Sequence, residues 1–334
     1  MLTKKGLYCF FIASIFYLIS SSASAFNINR QFLLNTSIGY GYLSGQDILL
    51  NTIANEYPDL ARDAYLAEIR FNTKFPNLKD KHFKVIESLD NPEINREVDK
   101  STKELQTLLA TYNQNLSKSE AIAFISEVNR RAKGEIESPI LENFLVVQYN
   151  NRPNQEMLDG FYNTFSSKGL SKAKGIEVTL KLPKSWQQQE ASRPNIVKKW
   201  ISQNGTGIDS IMLMVKNLPE TNISLNDIKM LYTTGEINET VPKGMIVLDR
   251  GDPIVVDRLP GYWYRIGGEM QRLDIHLYLE QVMYTVFYKD KIISIQCGSA
   301  NESTKKSEVQ LRVNKVIPLC KSIANSLVVQ NRWQ

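Results

Sequence analysis

Ile176-Glu177-Val178-Thr179-Leu180-Lys181-Leu182 alternates apolar and polar residues without a break, the period-2 signature of a strand with one buried and one wet face. It opens a stretch, Gly175 to Ser299, that reads as one continuous antiparallel sheet. A sheet with one apolar face must be covered. The C-terminal stretch supplies the cover: Val309, Val313, Val316, Cys320, Ile323 and Leu327 recur at steps of four and three, the stripe of an amphipathic helix. Pro318 falls inside that stripe and predicts a kink or a restart.

Within the sheet region, Pro183 ends the first ladder because it has no N–H to donate, and Trp186 is placed to fold over one end of the core. Strands follow over Ile196 to Ser202 and Ile208 to Val215, turned by Asn204-Gly205-Thr206-Gly207. Ser224 with Asp227 caps a helix carrying Ile228, Leu231 and Tyr232. Short strands flank Asp249-Arg250-Gly251-Asp252, a strand runs from Leu259 to Ile266, and Gly267-Gly268 reads as a hairpin turn. Leu273, Ile275, Leu277 and Leu279 alternate with polar residues, and the phase blurs near Gln281, which predicts a bulge or a break. Lys289-Asp290-Lys291 then turns the chain into a last strand, Ile292 to Cys297.

Upstream the periodicity is helical. Ser44 with Asp47 and Ser117 with Glu120 make capping-box patterns, the first ahead of Leu49, Leu50, Ile53 and Tyr57. Leu60, Ala64, Ala67, Phe71 and Phe75 form a second stripe that Pro76 ends, and Leu105, Leu108, Leu109, Tyr112 and Leu116 form a third. A fourth helix with Ile122, Ile125 and Val128 runs to Gly134. Residues 26–150 therefore read as a helical bundle, 151–174 as a connection rich in Asn, Arg, Pro, Ser, Lys and Gly with a short helix near Met157 to Phe165, and 175–330 as the sheet domain.

The first 25 residues set the compartment. Lys4 and Lys5 precede an apolar run from Leu7 to Ile19, and Ala23-Ser24-Ala25 is a small-residue cleavage site ahead of Phe26, the pattern of a secretory signal peptide. The apolar run is shorter than the ~20 residues a membrane span needs, and no later stretch is long and apolar enough. No membrane span is expected after cleavage, and the location is periplasmic or secreted. Cleavage leaves Cys297 and Cys320. In an oxidising compartment they can pair, or stand as two separate buried thiols. Ligands do not cluster for a metal, and no cofactor is expected.

The formal charge of +5 on 334 residues falls to +3 once Lys4 and Lys5 are gone. That is weak for a nucleic-acid binder, which displays a clustered basic stripe interleaved with aromatics. A protein partner or small ligand is expected instead.

The order of landmarks points further. A strand, then Leu182-Pro183-Lys184-Ser185-Trp186, two strands, a helix, strands containing Leu259-Pro260-Gly261-Tyr262-Trp263-Tyr264, a long hairpin and a terminal helix together resemble the PsbP-like fold. That fold, an antiparallel sheet flanked by helices, occurs in photosystem accessory proteins and in a nuclear-import factor that binds a small GTPase. The resemblance covers roughly Lys172 to Val329 and carries over no functional residue. It implies partner binding without catalysis, and the helical preface lies outside it.

Only His82 and His276 offer an imidazole. His276 shares the polar face of its strand with Asp274 two residues away, so the pair is a candidate binding site and, in the rival reading, the start of a hydrolase. No serine or cysteine is tied to it by a nucleophile elbow. His82 lies in a charged stretch and reads as surface. Arg193, in Arg193-Pro194-Asn195, is a candidate exposed contact, since arginine is enriched on recognition surfaces. The leading expectation is an exported, non-enzymatic binding or accessory protein; the alternatives are the hydrolase using His276 and Asp274 and a structural assembly factor of the cell envelope.

Overall fold

A computed structural model describes residues 30–88, 96, 100, 103–104, 107, 116–218, 223–236, 238, 241–242, 244–272 and 275–333. The expected leader, the third helix with Leu105, Leu108, Leu109 and Tyr112, and Leu273 and Asp274 lie outside the described residues. The architecture is α+β, and the chain divides into two compact units that meet between Gln148 and Tyr149.

The first unit is helical: α1 (Arg30–Glu56), α2 (Ala61–Lys74), α3 (Leu78–Glu87), α4 (Lys118–Arg131) and α5 (Ile140–Tyr149), whose last residue crosses the boundary. The Ser117 capping box starts α4 as expected, with the Glu120 N–H donating to Ser117 Oγ at 3.3 Å and the Glu120 carboxylate accepting from Ser117 N at 2.9 Å. Ser44 with Asp47 does not start a helix. Both lie inside α1, where Asp47 instead accepts from Lys79 at 2.7 Å.

His82 is a second correction, because it is fully buried on α3. Its ring stands edge-on to Phe144, 5.7 Å between centroids, and presses so closely on α1 that a Cβ at Gly39 would come within 2.5 Å of Nε2. The surrounding Lys81 and Lys84 misled the sequence reading. They occupy the outer side of the helix, and Lys81 reaches Gln148 at 2.8 Å.

The second unit holds two antiparallel sheets. The smaller has the order β1 (Tyr162–Ser166), β2 (Val178–Pro183), β11 (Val328–Val329). The larger, of eight strands, runs β3 (Gln187–Gln189), β4 (Ile196–Ile201), β5 (Asp209–Asn217), β10 (Lys291–Glu302), β9 (Ile275–Tyr288), β8 (Leu259–Arg272), β6 (Ile246–Arg250), with β7 (Ile254–Val256) also on β8. The expected continuous sheet is thus split in two. Val178, Leu180 and Leu182 do point inward as their alternation requires, yet β2 pairs with β1 before it and with the C-terminal β11, not with the strands that follow it.

Its partner comes from the stretch expected to be a connection. In residues 151–174 the short helix lies earlier than expected, α6 (Pro153–Leu158), and Phe165 belongs instead to β1, where its ring stands edge-on to Trp200 at 5.0 Å. The stretch looks like a linker because β1 lies at an edge with Asn163, Thr164 and Ser166 in water.

One face of the large sheet meets α8 (Lys306–Asn325) and the small sheet, burying Ile211, Leu213, Val282, Ile293 and Ile295 with Val316, Leu319 and Ile323. Each such side chain contributes about 1.5–3 kcal/mol relative to exposure. α8 runs through Pro318 without a restart. The other face is covered by α7 (Leu225–Thr234), which brings Ile228 against Tyr262, Tyr264, Met283 and Phe287.

Burial on both faces explains why the phase blurs. β9 continues unbroken past Gln281, with Val282 and Val286 in one core and Met283 and Phe287 in the other. Gly267-Gly268 is no turn either. Both lie within β8, and a Cβ at Gly268 would come within 2.4 Å of the Gly244 carbonyl, so glycine answers here to close approach.

Candidate functional site

Antiparallel pairing gathers several turns of the second unit at one end of the large sheet. Asn217, the last residue of β5, is paired with Lys291, which is paired with Tyr288 across the two-residue turn Lys289-Asp290. The turn Asp257-Arg258 joins β7 to β8, with Arg258 three residues beyond the Gly261–Val286 pair on one strand and Lys289 three residues beyond it on the other. On the other side the Val215 N–H donates to the Asn195 carbonyl at 3.0 Å, which sets the loop Arg193-Pro194-Asn195 at the same end.

The C-terminal segment is laced across this end. The Val329 N–H donates to Asp257 Oδ2 at 2.8 Å, Arg332 lies 3.4 Å from Asp257 Oδ1, and Tyr288 Oη donates to the Asn331 carbonyl at 3.2 Å. Trp333 thereby comes to rest over the Asp257-Arg258 turn, with the guanidinium carbons of Arg258 and Arg332 each 5.2 Å from its ring centroid. Trp333 remains half exposed.

Asp257 and Arg258 both have positive φ, 48° and 58°. A two-residue hairpin turn of this kind is free of strain with Asn-Gly, whereas a long side chain at the second position costs on the order of 1 kcal/mol. The geometry shows what the strain holds in place. Asp257 fixes Val329 and Arg332, and Arg258 is aimed at Trp333.

The charge at this end is one-sided. Arg193, Lys216, Arg258 and Lys289 are exposed, while Lys174 donates to Asn195 Oδ1 at 2.9 Å, and Lys172 donates to the Ala191 carbonyl and acts with its charge on the Glu190 carboxylate. Lys289 lies over the Tyr288 ring at 5.2 Å. Three carboxylates nearby are engaged by cations: Asp257 by Arg332, Asp290 by Lys291, and Glu190 by Lys198. The Lys291 hydrogen bond, with charge from Lys291 and Lys289, holds the Asp290 carboxyl below its ordinary range.

The buried charges of the unit are consumed elsewhere. Arg312 on α8 pairs with Asp209, which also accepts from Ser299 at 2.6 Å, and Arg265 pairs with Glu280. Glu156 is buried and accepts from the Ser185 N–H at 2.7 Å.

The structure separates the sequence-predicted residues. Arg193 belongs to the basic end. His276 is exposed at the opposite end, paired in register with Gln271 near the tip of the β8–β9 hairpin, and its side chain makes no hydrogen bond among the described residues. Asp274 lies outside the described residues. Cys297 and Cys320 are disulfide-bonded and buried, with Cα atoms 5.8 Å apart, and tie β10 to α8. Sequence reading missed Arg258, Lys289 and Trp333. A usable signal was present in Val256-Asp257-Arg258-Leu259, a charged dipeptide between apolar runs.

No family model matches this chain, and no curated protein matches it. Among solved structures, it is similar to LpqN, involved in cell envelope biogenesis of Mycobacterium tuberculosis, at 13% identity over 53% of this chain and 98% of that one, with a TM-score of 0.30. It is also similar to the Saccharomyces cerevisiae Ran-binding protein Mog1p, at 9% identity over 50% of this chain and 96% of that one, with a TM-score of 0.33. Likenesses at this level carry no argument about partner or activity.

Proposed function

We propose that this chain is an exported, non-enzymatic binding or accessory protein whose sheet unit makes the contact with its partner. One observation carries the reading. The ion pairs Arg312–Asp209 and Arg265–Glu280 of that unit are internal, while Arg193, Lys216, Arg258 and Lys289 stand exposed at one end of its large sheet beside a half-exposed tryptophan. Exposed arginines beside a tryptophan suit recognition, since both residue types are enriched among those that carry most binding energy. Export is supported by the signal-peptide pattern of the first 25 residues and by the Cys297–Cys320 bond, which an oxidising compartment permits.

Expression of the chain with and without residues 1–25 in a bacterial host, followed by fractionation and thiol titration, tests this reading. The full chain is expected outside the cytoplasm, shortened, and without a titratable thiol. A full chain retained in the cytoplasm with Cys297 and Cys320 free contradicts it. The binding half is tested by capture of envelope components on the mature protein, and a mature protein that retains none opposes it.

A further inference from the structure

We infer that the end of the large sheet formed by the turns Asp257-Arg258 and Lys289-Asp290, the Arg193 loop and Trp333 is a docking surface for an acidic segment of another protein. The inference deepens the binding role proposed above and rests on it.

Three features converge at this end of the sheet. The first is charge. Arg193, Lys216 and Arg258 project into water with no ion pair to a carboxylate among the described residues, Lys289 projects beside them with Asp290 as its neighbour, and Asp257 and Asp290 are already engaged by Arg332 and Lys291. Complementary potential steers association and fixes orientation. An anionic partner is the one that this surface favours.

The second is a held backbone. The turn places Arg258, not glycine, at a left-handed position, φ 58°, and the neighbouring Asp257 is anchored by Val329 and Arg332. Strained residues persist only where surrounding structure over-determines them, and they concentrate where a side chain has a task. Here the strain presents a guanidinium beside an indole.

The third is the aromatic. Trp333 is half exposed, and two guanidinium groups lie 5.2 Å from its centroid. A platform for stacking nucleobases presents bare ring faces along a groove, whereas this ring is already engaged by cations. Guanidinium groups held in place by an indole are preorganised for carboxylates, which they grip through two parallel hydrogen bonds. The rim spans the strands from β4 to β8, about 19 Å at ~4.8 Å per strand, a width suited to an extended peptide or a protein edge.

The test uses the mature protein with its disulfide intact. Binding of fluorescein-labelled poly-L-glutamate is followed by anisotropy at rising sodium chloride, beside an uncharged polyglutamine peptide, a single-stranded oligonucleotide of equal charge and vesicles containing phosphatidylglycerol. Poly-glutamate is expected to bind best and to weaken with salt. The variant Arg193→Gln/Arg258→Asn/Lys289→Gln should bind at least about tenfold more weakly. Asparagine keeps the turn at residue 258, since it tolerates positive φ, and retention of the Cys297–Cys320 bond and the circular-dichroism spectrum verifies folding. Lys229→Gln/Lys305→Gln/Lys321→Gln removes the same charge from other exposed positions and should leave affinity within about twofold of the parent.

Absence of poly-glutamate binding at low salt overturns the inference. So does equal loss in the two triple variants, or tighter binding of the oligonucleotide or the vesicles, which would assign the surface to nucleic acid or to membrane. An exported chain that still captures a partner after the rim is neutralised would leave the general binding role standing and remove only this surface from it.

Discussion

Arg312, on the inner side of α8, is paired with Asp209 at the start of β5, both out of water, and Ser299 donates to the same carboxylate at 2.6 Å. The pair pins the closing helix to the sheet it covers. It also extends to the backbone, since Arg312 donates to the Asn150 carbonyl at 3.0 Å.

Removing one partner leaves a buried charge uncompensated, which costs about 3–5 kcal/mol, whereas replacing both with apolar groups of similar shape costs far less. Arg312→Met should therefore lower the urea midpoint strongly, and Asp209→Leu/Arg312→Met should recover much of the loss. Trp186 and Trp200 lie in the same core and report its unfolding by fluorescence. Equal midpoints for the single and double variants would show that the charge is not what matters.

The disulfide closes a loop between residues 23 apart in sequence. In the chain-entropy model such a closure is worth about 3 kcal/mol. Reductant should lower the urea midpoint of the parent to that of Cys297→Ala/Cys320→Ala and leave the variant unmoved, as tryptophan fluorescence would record.

His82 supplies a pH dependence in the helical unit. Burial pushes its pKa down from 6.5 to about 4, and the carbonyl of Leu78, 2.8 Å from Nδ1, opposes this only in part. The folded form therefore stays neutral where the unfolded form takes up a proton. Stability from this group is complete above pH 6.5 and falls as pH drops toward 4, by about 3 kcal/mol in total. Urea unfolding followed by helical circular dichroism at pH 7 and pH 5 should show a drop in the parent that is absent in His82→Met. Equal drops in the two proteins would assign the effect to other groups.

What the sequence disclosed follows from how each signal is written. The one-sided strand at Val178, Leu180 and Leu182 and the stripe on α8 were legible because burial on one face leaves a period in the chain. The capping boxes at Ser117 and Ser224 held where polar side chains meet free helix ends, and the one at Ser44 failed because α1 had already begun at Arg30. β9 was obscured because both of its faces are covered. Gly267-Gly268 was misread because glycine serves close approach as well as turns. The depth of His82 was hidden by the lysines beside it. Of the candidate site, Arg193 was visible alone. Its company of Arg258, Lys289 and Trp333 arises from strand register and from the return of the C-terminus, which bring together residues far apart in sequence.

Amide hydrogen exchange of the mature protein with and without poly-L-glutamate tests the docking surface most directly. Slowed exchange is expected in the 257–258 and 289–290 turns, the loop at 193–195 and residues 328–333, and not elsewhere. Slowing centred on the hairpin tip near His276, or no change at the basic end while the peptide is bound, would contradict it.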